Sequence, residues 1–430
     1  MKRLAVLGTV ATFAIASIAA VPRTAHAQLT MQMGNGWSLS FSGNVNAFEV
    51  EGFSSGAPAD VTYGQVNSSE GTTNRLRTGL LPAFAVFDVK GKEGPFDLGV
   101  HFGFAPQIQS GGEGNLVTGS SGTTHDQFGA QIDMRQVYLT VGGSWGQILA
   151  GREIGLYQRE NILTDMTLTG VGAAGSQIGN GGTTLGRIGF GYTYPNFNAQ
   201  ITYSSPATND VVVSVGVFDP SALNGESGSA IYTRLPRVEA EVTYTGKLGT
   251  PAAGAAGDKI LIWVGGTWQE ANFLGNTTID SVTSLPDSTR SAEGVDFGLK
   301  LDLGQLSLVG SGYYDKGVGT TLMFTTNAGF DGVGQARTSF GYVGQITYKI
   351  DPKWMIGASI GASNLLMTDQ DRLTDNLALL KDNLDGTAMI TYQWTKSLRF
   401  VAEYDYVESV NYAFQSNKVN QIDAGFMLFF

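Results

Sequence analysis

The chain of 430 residues has no cysteine, and only 15% of its residues are charged, against roughly 25% in ordinary soluble domains. Without cysteine there is no disulfide framework and no thiolate ligand for a metal. Histidine is almost as scarce: His26, His101 and His125 are widely spaced. No serine adjoins His101 or His125, although Ser121 lies near His125 in a Gly/Ser/Thr-rich stretch. Nucleophilic hydrolysis needs a nucleophile oriented by a base, so the sequence predicts no enzyme, no catalytic residue, no metal site and no cofactor. Positive charge is also short. With 26 Lys and Arg against 37 Asp and Glu, the net charge is -11, which argues against nucleic acid as a partner. After residue 27 no apolar run is long enough for a membrane helix.

What is present begins at the N-terminus. Lys2 and Arg3 precede an uncharged stretch from Leu4 to Val21, and Ala25-His26-Ala27 follows as a small-x-small cleavage signal. This predicts a secretory signal peptide over 1–27 and a mature chain from Gln28. A membrane anchor helix is the other reading of the same stretch. The whole chain is rich in glycine (59), with 16 Tyr and 23 Phe. Low charge and many aromatic rings without helical spans fit a β-barrel with its outer face in lipid and its inner face in water.

Period-two patterning supports strands. In Trp37 to Ala47 the residues Trp37, Leu39, Phe41, Val45 and Ala47 alternate with Ser38, Ser40, Ser42, Asn44 and Asn46. Val295, Phe297, Leu299 and Leu301 alternate with Asp296, Lys300 and Asp302. Near the end, Ile422, Ala424, Phe426, Leu428 and Phe430 share one face. A soluble sandwich would show the same alternation with the faces exchanged. The expected strands are 37–50, 75–90, 95–108, 129–142, 145–152, 184–194, 196–218, 236–248, 259–272, 293–303, 306–316, 337–349, 353–366, 386–395, 397–409 and 418–430. Their connections alternate long and short: 51–74 against 91–94, 109–127 against 143–144, 317–336 against 350–352. That predicts an all-β, antiparallel transmembrane barrel of 16 strands over 28–430, with short periplasmic turns and long extracellular loops. Residues 196–218 read either as one bulged strand or as two; an even total favours one. At this strand number side chains cannot fill the interior, so an aqueous channel is expected.

A constriction is expected from the third long loop, 153–183, whose apolar content suits a segment folded into the lumen. Its charged residues Glu153, Arg159, Glu160 and Asp165 are the candidates for the narrow zone, opposed by Arg75, Arg77, Arg135 and Arg187 on the wall. A midplane arginine facing lipid costs about 2–4 kcal/mol, which turns Arg135 inward. Simpler readings compete: a structural Arg135–Asp133 ion pair, and solvated loop charge at Glu153 and Arg159. Pore width and lining charge would set selectivity.

Met134 to Arg152, MRQVYLTVGGSWGQILAGR, resembles the strand–turn–strand pattern of the general, trimeric porins of Gram-negative outer membranes. Arg135 matches the wall arginine of that pattern and Gly151-Arg152 its Gly-Arg before the constriction loop. TLGRIGFGYTYPNF at 184–197 is similar to the strand and turn after that loop, and Phe430 to the family's C-terminal assembly signal. The resemblance implies a homotrimer in outer-membrane lipid and passive diffusion of ions and small hydrophilic solutes. A substrate-selective channel, for sugars for example, and a structural or adhesive barrel are the alternatives.

Overall fold

The computed structural model describes residues 29–54, 59–66, 71–108, 132–174, 183–221, 223, 231–232, 234–249, 257–273, 277–279, 282–285, 288–321, 327–331 and 333–430. The expected leader, 1–27, and His125 lie outside the described residues.

Among the described residues sixteen antiparallel wall strands form one closed sheet. They are β1 (Ser38–Ser54), β2 (Thr72–Arg77 continued by Phe84–Glu93), β3 (Phe96–Pro106), β4 (Ile132–Gly143), β5 (Gly146–Ile154), β6 (Phe197–Ser204), β7 (Val211–Phe218) and β8 (Arg237–Leu248). The second half comprises β9 (Asp258–Phe273), β10 (Ser288–Leu303), β11 (Leu306–Lys316), β12 (Thr338–Lys349), β13 (Trp354–Leu366), β14 (Leu380–Gln393), β15 (Leu398–Asn411) and β16 (Ser416–Phe429). Each strand pairs with its neighbour in sequence, and β1 closes on β16 from Asn44↔Phe429 to Ser54↔Val419. Closure leaves no edge with unpaired N–H and C=O groups. The short strands Leu29–Gln32 and Ile231–Tyr232 add pairings at β1 and β9.

The two faces decide between barrel and sandwich. On β7, Val211, Val213, Val215 and Val217 point outward and are 43–48% exposed, while Ser214 between them is 2% exposed. On β16, Ile422, Phe426 and Leu428 are exposed, while Gln421 and Asp423 are buried. Apolar residues outside and charged residues inside are the reverse of a soluble sandwich and the pattern of a barrel set in lipid.

Three predicted elements need correction. Residues 184–194 are not a strand: Gly186, Gly189 and Gly191 have φ of 56°, 83° and 148°, outside the range an extended chain uses. Residues 196–218 are two strands, β6 and β7, joined by a turn in which Asn209 N–H donates to Pro206 O at 3.0 Å. The two errors offset each other, and the count of sixteen stands. The predicted strand 75–90 breaks at 78–83, where the chain leaves the wall. There Asn44 Nδ2 donates to Pro82 O (3.0 Å) and Asn46 Nδ2 to Leu81 O (2.9 Å). Two side chains of β1 thus replace the missing ladder.

The connections 94–95, 144–145, 205–210, 249–257, 304–305, 350–353 and 394–397 lie at one end of the barrel. At the other end, 55–71, 107–131, 155–196, 219–236, 274–287, 317–337 and 367–379 are longer, and only 412–415 is tight. Exposed rings gather near the short-turn end. Trp145 stacks on Tyr203 (centroids 6.2 Å apart), and Trp354 lies tilted against Tyr392 (4.4 Å). This is where aromatic side chains meet a membrane–water boundary. By contrast Tyr192 and Tyr313 are buried inside.

At the long-loop end, 317–337 and 367–379 are tied together by a buried ion pair. Arg337 grips Asp371 with Nη2–H to Oδ1 (2.7 Å) and Nε–H to Oδ2 (2.8 Å). Burial alone would raise the Asp371 carboxyl, but the Arg337 fork and the Thr368 N–H hold it at about 2. An aspartate free in the unfolded chain titrates near about 4. The stabilisation is therefore complete above about pH 4 and is lost as pH falls towards 2. In unfolding measurements, Asp371→Asn is expected to be less stable than wild type at pH 6 and to match it near pH 2. An unchanged gap at both pH values would refute the pairing.

Candidate functional site

The longest connection, 155–196, lies against the inward-facing side chains of β8 to β16. Its first turn is held by carboxylates of the wall. Leu156 N–H (2.8 Å) and Tyr157 N–H (3.1 Å) donate to Glu239 Oε2 on β8, and Gln158 N–H to Asp296 Oδ1 on β10 (3.2 Å). The Tyr157 hydroxyl donates to Asp315 on β11. Burial, with Asp315 and Asp296 beside it, holds the Tyr157 phenol well above its ordinary value.

Gln158, left-handed at φ 67°, starts the helix α1 (Arg159–Thr164), followed by a 3-10 turn, Met166–Thr169. Six residues are too few to hold a helix by propensity, so packing must fix it. Ile162, Leu163, Met166 and Leu168 are buried in one cluster with Phe48, Leu80, Val343, Met389 and Met427 of the wall region. Each such burial contributes roughly 1.5–3 kcal/mol. This is the apolar content that distinguished the segment in sequence. Polar ties complete the fit: Trp263 Nε1–H donates to Asn161 Oδ1 (2.7 Å), and Gln345 Oε1 accepts from Met166 N (2.6 Å).

Beyond the 3-10 turn the segment reaches the far wall. Leu80 N–H donates to Gly170 O (3.0 Å) and Leu81 N–H to Leu168 O (3.2 Å), so the break in β2 is where the segment docks. Glu403 Oε2 on β15 accepts from Val171 N (3.0 Å) and Gly172 N (2.8 Å), and Gln421 Oε1 on β16 accepts from Ala174 N (3.1 Å). On the return, the fully buried Arg187 donates to Ser359 Oγ (3.1 Å), Thr387 Oγ1 (2.9 Å) and Asp385 O (2.6 Å). At Gly361 of β13 a Cβ would collide with Phe190 O, so the close approach requires glycine there.

The residues singled out in sequence fall into two groups. Glu153 is buried on β5, where its carboxylate accepts from Gln136 Nε2 (2.9 Å) and Ile154 N (2.8 Å). Asp165 is buried and accepts from Thr167 N (2.8 Å), Thr167 Oγ1 (2.8 Å) and Tyr192 OH (2.7 Å). Arg77 is buried on β2, and Arg187 sits in the inner segment rather than on a strand. Arg159, Glu160 and Arg135 keep part of their surface accessible, and Arg75 is exposed. Arg159 pairs with Glu241. Burial and the neighbouring Glu241 push Glu160 up to about 7, against the pull of Arg159. Arg135 occupies a bulge, skipped between Gly103↔Gln136 and Phe104↔Met134, and its Nε–H donates to Asp133 Oδ2 (2.9 Å). It also lies over the Phe197 ring (5.6 Å), so the structural ion pair weighed in sequence is present.

Phe430 lies beside Phe41 (5.3 Å), and its N–H and C=O pair with Gly43. His101 is occupied by Asp88 (2.9 Å) and stacks on Tyr138 (4.6 Å).

A closed sixteen-stranded barrel with apolar outer and polar inner faces defines a transmembrane β-barrel of the channel-forming kind. The chain belongs to the Gram-negative porin family, whose model matches residues 11–412, and its place is the outer membrane. No curated protein matches the sequence. Among solved structures it is similar to the outer membrane channel DcaP of Acinetobacter baumannii (TM-score 0.64, 16% identity, 93% of this chain and 99% of that one). It is also similar to the anion-selective porin from Comamonas acidovorans (TM-score 0.58, 11% identity, 92% and 100%) and to OprB of Pseudomonas putida (0.53, 14%, 91% and 94%). At these identities the likeness establishes the fold.

Proposed function

We propose that the protein is a water-filled diffusion pore for ions and small hydrophilic solutes, with 155–196 as its constriction. The observation that carries the reading is the polar anchoring of this segment to the inner wall from β8 to β16. In this reading the long connections face the exterior and the short turns the periplasm. Residues 1–27 are removed on export, Phe430 serves in assembly, and three copies of 28–430 associate in outer-membrane lipid.

The candidate charges divide by exposure. Glu160, Arg159, Arg135 and Arg75 retain contact with solvent and act on passing solutes. Glu153, Asp165, Arg77 and Arg187 set the shape of the constriction from buried positions.

Purified protein in a planar bilayer is expected to give stable, stepwise conductance; absence of conductance would overturn the proposal. Because Glu160 titrates near 7, lowering pH from 8 to 6 removes its negative charge. Preference for cations is then expected to fall over that interval. Glu160→Gln should fix the low-pH selectivity at both pH values, whereas Asp165→Asn should alter conductance through loop packing. Identical selectivity curves for wild type and Glu160→Gln would remove Glu160 from the pore.

A further inference from the structure

On the inner wall, Glu403 and Asp405 of β15 and Asp423 of β16 form a compact acidic group. Glu403 and Asp423 are register partners, and Asp405 stands two residues from Glu403 on the same face. All three are at least nine-tenths buried, with exposures of 4%, 0% and 1%. One oxygen from each lies within 4.8 Å of those of the other two.

The hydrogen bonds divide each carboxylate in the same way. Glu403 Oε2 takes the N–H groups of Val171 and Gly172, Asp405 Oδ1 takes Thr387 Oγ1 (2.5 Å), and Asp423 Oδ2 takes Gln421 Nε2 (2.5 Å). The second oxygens, Glu403 Oε1, Asp405 Oδ2 and Asp423 Oδ1, are buried and accept from no N–H or hydroxyl donor among the described residues, and the Asp405 and Asp423 carboxyl groups stand within hydrogen-bonding reach of each other. The nearest donors are committed elsewhere. Gln421 Nε2 also serves Gly172 O (2.8 Å), and Arg187 is spent on Ser359, Thr387 and Asp385. Asp165 and Asp385 lie within electrostatic reach and add to the negative charge, against Arg187 beside Asp405 and Arg77 towards Asp423. Three unfilled carboxylate oxygens from three buried side chains in a region with excess acid call for a cation.

We propose that Glu403, Asp405 and Asp423 bind a divalent cation of the calcium class, which ties β15 and β16 to the inner segment through Glu403. Size favours calcium over magnesium. Calcium–oxygen distances of about 2.3–2.6 Å separate opposed ligands by up to roughly 5 Å, whereas magnesium, at about 2.0–2.1 Å, needs a tighter octahedron. Water would supply the rest of the coordination shell, as is common for calcium. The ion would neutralise two of the three negative charges and hold 170–172 against the wall.

The test uses the mature chain refolded into detergent, so that no lipopolysaccharide contributes bound metal, and stripped with chelator. Titration with calcium is expected to show one ion per chain, bound at least tenfold more tightly than magnesium. Asp405→Asn and Asp423→Asn should each weaken calcium at least tenfold, while Asp369→Asn, at an exposed loop acid, should not. Glu403 is left intact because it also anchors the loop. Folding of each variant is read from its heat-modifiable gel mobility. If both variants fail to fold, the wild type alone decides: its unfolding temperature must rise with calcium over chelator. No stoichiometric calcium in wild type, undiminished binding in folded variants, or an unfolding temperature indifferent to calcium would each overturn the site. The last would mean that the carboxylates share protons instead.

Discussion

Replacing Arg187 with leucine is expected to destabilise the barrel by about 3–5 kcal/mol and to raise single-channel conductance and its noise. Arg187 is completely buried, and its guanidinium joins 184–194 to Ser359 on β13 and to Asp385 and Thr387 on β14. Leucine fills much of the volume but removes the cation 3.4 Å from Asp385, whose two carboxylate oxygens have no hydrogen-bond donor of their own. The penalty comes from that stranded acid more than from the lost bonds. Asp385→Asn in the leucine background should therefore restore a large part of the loss, a coupling that independent sites would not show. Arg187→Lys should fall between, because lysine keeps the charge and loses the planar fork. Denaturant unfolding of the refolded barrel gives the stabilities. A leucine variant within about 1 kcal/mol of wild type would show that Asp385 is already neutral.

That prediction depends on a residue whose place was misread from sequence, and the reason is physical. TLGRIGFGYTY alternates apolar and polar residues as a strand does, and local pattern carries no other information. What distinguishes it is the set of left-handed glycines at 186, 189 and 191, which bend the chain away from the wall. Pro206-Ala-Thr-Asn209 is an ordinary turn cluster, and read that way it divides 196–218 correctly. Alternation along the strands was enough for the barrel because lipid outside and water inside impose the same two-residue period on every strand. The inner site was much less legible. Glu239, Asp296, Asp385 and Glu403 carry most of the anchoring, yet each reads in sequence as one more polar residue on a wet face. Their partners are far away in the chain: Glu239 meets residues 82 and 83 positions distant, and Glu403 residues 231 and 232 distant. Such pairings follow from closing the barrel, which no local window contains. Glu160 was singled out in sequence because it lies in a long connection rich in apolar residues, which the structure places inside the barrel.

At the opposite end of the same segment, Glu239→Ala is expected to destabilise the protein by at least about 3 kcal/mol. Glu239 is fully buried and both oxygens are in use: Oε1 accepts from Arg237 Nε (2.9 Å), and Oε2 from Leu156 N and Tyr157 N. Alanine removes the carboxylate that neutralises the buried Arg237 guanidinium, leaving it Ser221 Oγ (3.0 Å) and the face of Phe218 (5.4 Å) among its contacts. It also strands two loop N–H groups, each worth about 1–3 kcal/mol when buried and unmet. Glutamine tests the two contributions against each other. It offers one acceptor oxygen where two are needed, so either Arg237 or the loop amides meet an NH2 group. Its loss should be smaller than that of alanine but should not vanish. The paired change Arg237→Leu with Glu239→Leu removes both charges and is expected to recover the ion-pair part of the loss. The Leu156 and Tyr157 amides would remain unmet. This double variant should therefore be more stable than Glu239→Ala but still short of wild type by the cost of the two unmet amides, with its inner segment loosened at 155–158, seen as faster amide exchange there and altered conductance. Full recovery of stability with exchange and conductance unchanged would show that Glu239 serves the wall alone and that other contacts hold the start of the constriction.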